Sequence, residues 1–319
     1  MHSLYGENVG AYKTYMFGSP TILVCSPSLS KVILNSPDTF KQAWPTTEAQ
    51  GPNSVISLEG THHDRVKGLL MNAINHPHAL ARITIHVQPA IVHALQSWAQ
   101  KGKITTFDEL KKCRTKFKNI IRVELEKRKQ ENKNANEAKD LMDELMQMKD
   151  EEGKKLTDEE EENMELAKDK KDQFITYEDV LKVKYTNKVV EETVRLANLS
   201  GFVFRKTTED VDYKGYLLPK DWKIIVWIRH LYVDPANFEN PMGFNPDRWD
   251  IRPKVGTFYA FGGGWKSCPG NMLVRLQLII LLHHLSIGYK WELLNPNVKL
   301  HYLSHRIPTD GLQLFVSEI

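Results

Sequence analysis

A cysteine that ends a glycine-rich loop and opens an apolar helix can bind a soft metal as thiolate. The stretch Phe261-Gly262-Gly263-Gly264-Trp265-Lys266-Ser267-Cys268-Pro269-Gly270 has that form, and a helix-period segment, Asn271 to Leu285, follows it. Glycine lets such a loop bend sharply because it lacks a Cβ. Unpaired N–H groups and the positive end of the helix dipole stabilise an anion at a helix start. Thiols placed there favour the thiolate form, which is a strong ligand for iron. A strand-to-helix turn with an inert cysteine would have the same letters, so the loop needs supporting residues before it reads as a site.

Other chemistries find less support. A phosphate-binding loop of the Walker type needs Gly directly before Lys-Ser, and Trp265 stands there instead. No Gly-x-Ser-x-Gly elbow is present to anchor a hydrolase triad. The cysteines Cys25, Cys113 and Cys268 match neither a zinc spacing nor a disulfide framework, and an odd, sparse set fits a reducing compartment. The histidines His62-His63, His76, His78 and His283-His284 form no His/carboxylate set at metal spacing. Glu192 and Arg195, three apart, share one helix face; alone they would be an ordinary surface ion pair of little energetic weight. Arg248 alone is a turn arginine.

The elements that must position these residues can be read from pattern. Residues 21–25 read as a strand after the Gly18-Ser19-Pro20 turn, and Pro27 to Leu34 as a helix capped by Ser26 or Ser28. Residues 36–60 read as loop. Helices are expected over 61–75 and 79–100, the second kinked or divided at Pro89. One or two long charged helices are expected over 107–149. From 150 to 172, 16 of 23 positions are charged, so this linker-like run has almost nothing to bury. Tyr177 to Leu196 reads as one helix. Residues 211–219 and 222–228 read as a small antiparallel sheet, and Phe244 to Trp249 as a turn with a buried aromatic at each end. The chain has 319 residues, a net charge of +3 and no basic patch threaded by aromatics, which argues against nucleic-acid binding. No run reaches the roughly 18 unbroken apolar residues of a membrane span, and no signal peptide is evident, so the chain reads as soluble.

Three weak signals occur in a fixed order: Glu-x-x-Arg at 192–195, Phe-x-Pro-Asp-Arg-Trp at 244–249, and Phe-Gly-x-Gly-x-Lys-x-Cys-Pro-Gly at 261–270. Together they resemble the C-terminal half of a cytochrome P-450, a haem-thiolate monooxygenase. The segments at 12–18, 40–46, 123–128 and 216–223 are similar to plant enzymes that oxidise diterpenoid or triterpenoid acids and alcohols, the ent-kaurenoic acid oxidases of gibberellin synthesis and the beta-amyrin oxidases. The resemblance implies a mainly helical fold with small β-sheets and a haem (heme) cofactor with Cys268 as the iron ligand. It implies that Phe261 covers the sulfur, that amides around Gly270 tune it, and that Lys266, Arg205, His63 and Lys67 face the propionates. Glu192, Arg195 and Arg248 would form a buried structural network. Partners implied are O₂, a NADPH-dependent cytochrome reductase docking near Lys266, and a small hydrophobic terpenoid. The family location is the cytosolic face of the endoplasmic reticulum membrane.

The likeness also breaks. After Phe107 to Lys112 the family continues through helices that roof the pocket; here Cys113-Arg114-Thr115 runs on towards Val123 to Arg128. After Leu156 to Glu160 the family has an apolar helix across the distal haem face, with a small-residue pair, an acid and a threonine. Residues 161–172 are a charged run instead, and no Ala/Gly-Gly-x-Asp/Glu-Thr occurs in the sequence. The expectation is therefore one internally truncated domain over 1–319, with 174–319 as its proximal haem-binding half. Two functional readings follow: a terpenoid monooxygenase with weak or no turnover, or a non-enzymatic, degenerate or splice-variant remnant.

Overall fold

The computed structural model describes residues 10–43, 55, 57–115, 174–302 and 306–319. The expectations for 116–149, for the charged run at 150–172 and for the segment in place of the distal helix lie outside these residues. The α-helices used below are α1 (Pro27–Asn35), α2 (Gly60–Asn75), α3 (Pro77–Lys101), α4 (Tyr177–Lys182), α5 (Lys184–Ala197), α6 (Ile228–Val233) and α7 (Asn271–Gly288). The strands used below are β1 (Ala11–Met16), β2 (Ser19–Val24), β3 (Phe40–Gln42), β4 (Lys103–Thr105) and β5 (Val203–Thr207). They continue with β6 (Val211–Tyr213), β7 (Tyr216–Leu218), β8 (Lys223–Val226), β9 (Tyr289–Leu293) and β10 (Gln313–Glu318). The chain divides into two compact units.

The first unit draws on Met1–Leu58, Lys188–Cys268 and Tyr302–Arg306. Its centre is a five-stranded sheet in the order β1-β2-β8-β5-β3. Strand β8 runs parallel to β2 and antiparallel to β5. The sequence placed β8 with β6 and β7, but among the described residues those two strands pair only with each other. The reason lies in β8 itself: Ile224, Ile225 and Val226 are all buried, and a strand covered on both faces belongs in the middle of a sheet. Strand β3 corrects the loop expected over 36–60; its short run Phe-Lys-Gln carries one buried residue, Phe40, too little to show a period.

Helix α1 covers this sheet. Leu29, Ile33 and Leu34, spaced four and one apart, are fully buried in one cluster with Ile22, Val24, Ile224 and Val226. Of the two cap candidates it is Ser26 that acts: its hydroxyl accepts from the Leu29 N–H at 3.1 Å, and Pro27 opens the helix. Ser26→Ala should lower stability by about 1 kcal/mol, seen as a lower urea midpoint with an unchanged slope.

The second unit draws on Glu59–Asn187, Pro269–His301 and Ile307–Ile319. Helix α3 runs unbroken for 25 residues with Pro89 inside it, so the proline does not divide it. Packing outweighs the lost hydrogen bond: Leu95 and Trp98 are buried with Ile104 and Val316 of the β4-β10-β9 sheet. Beside the proline, Gln88 is fully buried and acts as a backbone substitute. Its amide donates to the Ile175 carbonyl at 2.8 Å and accepts the Ile175 N–H at 2.9 Å. This fixes the chain just ahead of α4.

Residues 177–196 form two helices, not one. A capping box between Thr176 and Asp179 starts α4, and Val183 leaves helical geometry. Asn187 closes the break by donating to the Val180 and Val183 carbonyls. Helix α7 agrees with the expected segment and is long and apolar enough, by length and composition, to cross a membrane. It carries Arg275, His283 and His284, and packs on α3, with Leu276, Ile279 and Ile280 buried.

Candidate functional site

Helix α5 supplies the centre of the first unit's polar core. Glu192 is fully buried and Arg195 nearly so, which overturns the plain surface-pair reading. The two form a two-pronged pair: Arg195 Nε donates to Glu192 Oε2 at 2.9 Å and Nη2 to Oε1 at 2.7 Å. The 3-10 turn Pro246–Asp250 brings Arg248, whose Nε donates to Glu192 Oε1 at 3.0 Å. Trp249 Nε1 and the Asn245 N–H also donate to this carboxylate, at 3.1 and 3.0 Å. The guanidinium groups in turn donate to carbonyls: Arg195 to Tyr232 and Pro241, Arg248 to Glu239 and Asn240.

The electrostatics follow. Burial alone would raise the Glu192 pKa, but the donors around it, led by Arg195, hold it down at about 2. So the network joins one helix to the turn at 246–250. Trp249 and the Asn245 amide were missed as partners, although Trp249 stands in the motif beside Arg248. Phe244, expected to be buried, is 53% exposed. The ring that packs is Trp249, with its centroid 4.7 Å from that of Phe258.

The cysteine loop begins at Tyr259 and doubles back. The Gly262 N–H donates to the Tyr259 carbonyl at 2.9 Å, the Ser267 N–H to Gly264 at 3.1 Å, and the Cys268 N–H to Phe261 at 2.8 Å. The last bond closes the loop, so residues 261 and 268 are held together and Cys268 is presented on an exposed turn. Lys266 donates from its ammonium to the Leu58 carbonyl and lies 4.5 Å from the Trp265 ring centre. Gly264 sits hard against the end of α1, so the loop is seated on that helix.

Arg205 is placed by β5. Alternate residues Val203, Arg205 and Thr207 share one face of the strand, and Arg205 is only 3% exposed. Its Nη1 donates to the Phe204 carbonyl, but its Nε has no acceptor, and no described carboxylate pairs with it. Burial alone pulls its pKa down to about 10. A buried cation in this condition calls for an anion. The propionate of a haem is such a group, so the residues present fit the cofactor.

The remaining predicted residues lie in the second unit. His63 and Lys67 are one turn apart on α2. His63 is buried, with Nδ1 3.1 Å from Asp64 Oδ1, and Lys67 is half-buried. Gly270 is the residue before α7, and its carbonyl accepts the Val274 N–H at 2.9 Å. Among the described residues no group of three metal-ligating side chains occurs.

The chain is similar to known proteins along most of its length. The sequence model described as "Cytochrome P450" matches residues 160–304. Ent-kaurenoic acid oxidase 1 of Hordeum vulgare is 30% identical, over 95% of this chain and 81% of the relative. Abscisic acid 8'-hydroxylase 1 of Arabidopsis thaliana is 26% identical, over 96% of this chain and 83% of the relative. Among solved structures, retinoic acid bound cyanobacterial CYP120A1 superposes with a TM-score of 0.81 at 18% identity, over 97% of this chain and 92% of that one. The barley alignment spans 402 positions, more than the 319 residues present here, so the relative carries internal residues that this chain lacks. On this similarity over most of its length, the chain belongs to the cytochrome P450 family.

Proposed function

We propose that this chain binds haem through Cys268, with Arg205 as the buried partner of a propionate, and that its substrate class is a hydrophobic terpenoid acid or alcohol. The observation that carries the haem reading is the buried Arg205 guanidinium without an acid. A bound haem thiolate supplies an iron centre rich enough in electrons to favour dioxygen cleavage. Phe261 covers the sulfur and limits solvent there, the amides near Gly270 tune the thiolate by hydrogen bonding, and Lys266, His63 and Lys67 face the propionates. Lys at 67 binds an anion as a point charge and lacks the fork of an arginine. Glu192, Arg195 and Arg248 are structural: they hold the segment that carries the cysteine loop. Residues 174–319 are the proximal half of one truncated domain.

The substrate class rests on the similarity to ent-kaurenoic acid oxidases. Electrons come from a NADPH-dependent reductase at the proximal face, and the working location is the endoplasmic reticulum membrane. Turnover is well below that of the relatives, because the sequence has no small-residue pair followed by an acid and a threonine to carry protons on the distal side.

The test is a reduced carbon-monoxide difference spectrum of the purified chain, followed by turnover of a diterpenoid acid with reductase and NADPH. A thiolate-type Soret band with little product is the expected result. No haem band would favour a remnant that has lost its cofactor, and full turnover would refute the weakened-enzyme reading. Arg205→Met adds a second check. It should raise the melting temperature of the haem-free chain by a few degrees, on the scale of ~1–2 kcal/mol, while haem is lost faster from the loaded one.

A further inference from the structure

Tyr232, on α6, is absent from the three motifs, yet it touches both halves of the proximal site. Its side chain is 1% exposed. Its main-chain carbonyl accepts from Arg195 Nη1 at 3.0 Å, and its hydroxyl accepts the Tyr259 N–H at 2.8 Å. Tyr259 in turn shapes the turn that leads to the cysteine. Its carbonyl accepts the Gly262 N–H, and its ring lies so close to Gly263 that a Cβ there would sit 2.7 Å from two ring carbons. Phe261, the next residue but one, holds the Cys268 N–H.

One unbroken series of contacts therefore runs from Glu192 through Arg195, Tyr232 and Tyr259 to the loop of Cys268. Aromatic packing fixes the ring that carries the hydroxyl: the Phe238 centroid lies 6.1 Å away edge-on, and the Phe258 centroid 5.6 Å away. The phenol stays neutral, since burial pushes its pKa far above the ordinary value.

We infer that Tyr232 is a positioning residue: its hydroxyl fixes the first residue of the cysteine loop to the Glu192–Arg195 network, and so sets where Cys268 stands. A buried tyrosine could serve packing alone. Packing, however, needs only the ring, whereas the bond to the Tyr259 amide needs the oxygen. Removing that oxygen leaves the Tyr259 N–H without its acceptor and frees the start of the loop from α6.

The inference rests, for its spectroscopic arm, on the reading of Cys268 as the iron ligand, so the test has an arm that needs no haem. Tyr232→Phe keeps the ring and removes the hydroxyl. Leu231→Ala, at a fully buried neighbour on the same helix, supplies general destabilisation without touching the bond. In the haem-free chain, amide hydrogen exchange at Gly262 and Cys268 should quicken about tenfold in Tyr232→Phe. At a matched loss of melting temperature, Leu231→Ala should leave the ratio of these rates to those of α1 unchanged. In the loaded chain, part of the thiolate-type carbon-monoxide band should pass to a form without thiolate ligation only in Tyr232→Phe. Unchanged exchange at Gly262 and Cys268 in Tyr232→Phe, or the same local change in Leu231→Ala, overturns the inference. A parent chain without any thiolate band overturns the haem reading instead, and the exchange arm still decides the role of Tyr232.

Discussion

Gly264→Ala should abolish a native cysteine loop. The φ angle at Gly264 is +65°, in the left-handed region, which costs an alanine about 1 kcal/mol or more by itself. The larger effect is contact. A Cβ at 264 would lie 1.8 Å from the Leu34 carbonyl oxygen and 2.7 Å from its carbon, well inside any tolerable separation. The obstacle is backbone, not a flexible side-chain end. It cannot give way cheaply, because Leu29, Ile33 and Leu34 anchor α1 in the core with no exposure.

The loop must therefore lift off the helix, and the bond between Cys268 and Phe261 goes with it. The expected result is loss of the thiolate-type band together with a large drop in the urea midpoint. Gly262→Ala is the control. Its φ is +73°, but a Cβ there would meet nothing nearer than 3.5 Å, so only the conformational cost of about 1–2 kcal/mol applies. Equal losses in the two variants would contradict the steric argument.

This difference between two glycines shows what the sequence could and could not carry. The motif says that glycines are wanted at 262 and 264. It does not say that one answers to a turn and the other to α1, some 230 residues earlier in the chain. Local features were legible for local reasons: the Ser26-Pro27 helix start, the α2 and α7 helices, and the Glu192–Arg195 spacing. What failed depended on distant packing. Strand β8 is central because β2 and β5 flank it. Pro89 stays inside α3 because Gln88 and the β4-β10-β9 sheet hold both sides of it. At the site, the motifs named Glu192, Arg195, Arg248 and Cys268, which the first unit brings into one framework. Tyr232 carried no signal, because a buried tyrosine in a short helix looks the same whether its hydroxyl is used or not. The orphaned state of Arg205 is likewise a fact of the fold: its neighbours on β3 and β8, Gln42 and Ile224, offer no carboxylate.

Glu192→Gln should be the most costly single change in the polar core. The carboxylate takes five hydrogen bonds, from Arg195 Nε and Nη2, Arg248 Nε, Trp249 Nε1 and the Asn245 N–H. A glutamine keeps the shape but replaces one acceptor oxygen with an NH₂ that faces donors. It also removes the negative charge that stands between two largely buried guanidinium groups. Breaking a buried pair in this way costs about 3–5 kcal/mol.

The pH dependence gives a second measure of the same network. The Glu192 pKa falls from an ordinary 4.5 to about 2 on folding. A carboxylate whose pKa is lowered by folding stabilises the folded state above its unfolded value, and that stability drains away as pH falls towards the folded value. The contribution is about 3 kcal/mol, complete above roughly pH 5 and lost progressively between there and pH 2. Urea midpoints of the parent chain should therefore fall steeply through this window. Those of Glu192→Gln should start lower at pH 7 and fall less, so the two curves converge in acid. Parallel curves would mean that Glu192 titrates like an exposed carboxylate, and the charge network would then not be what fastens α5 to the turn beside the cysteine loop.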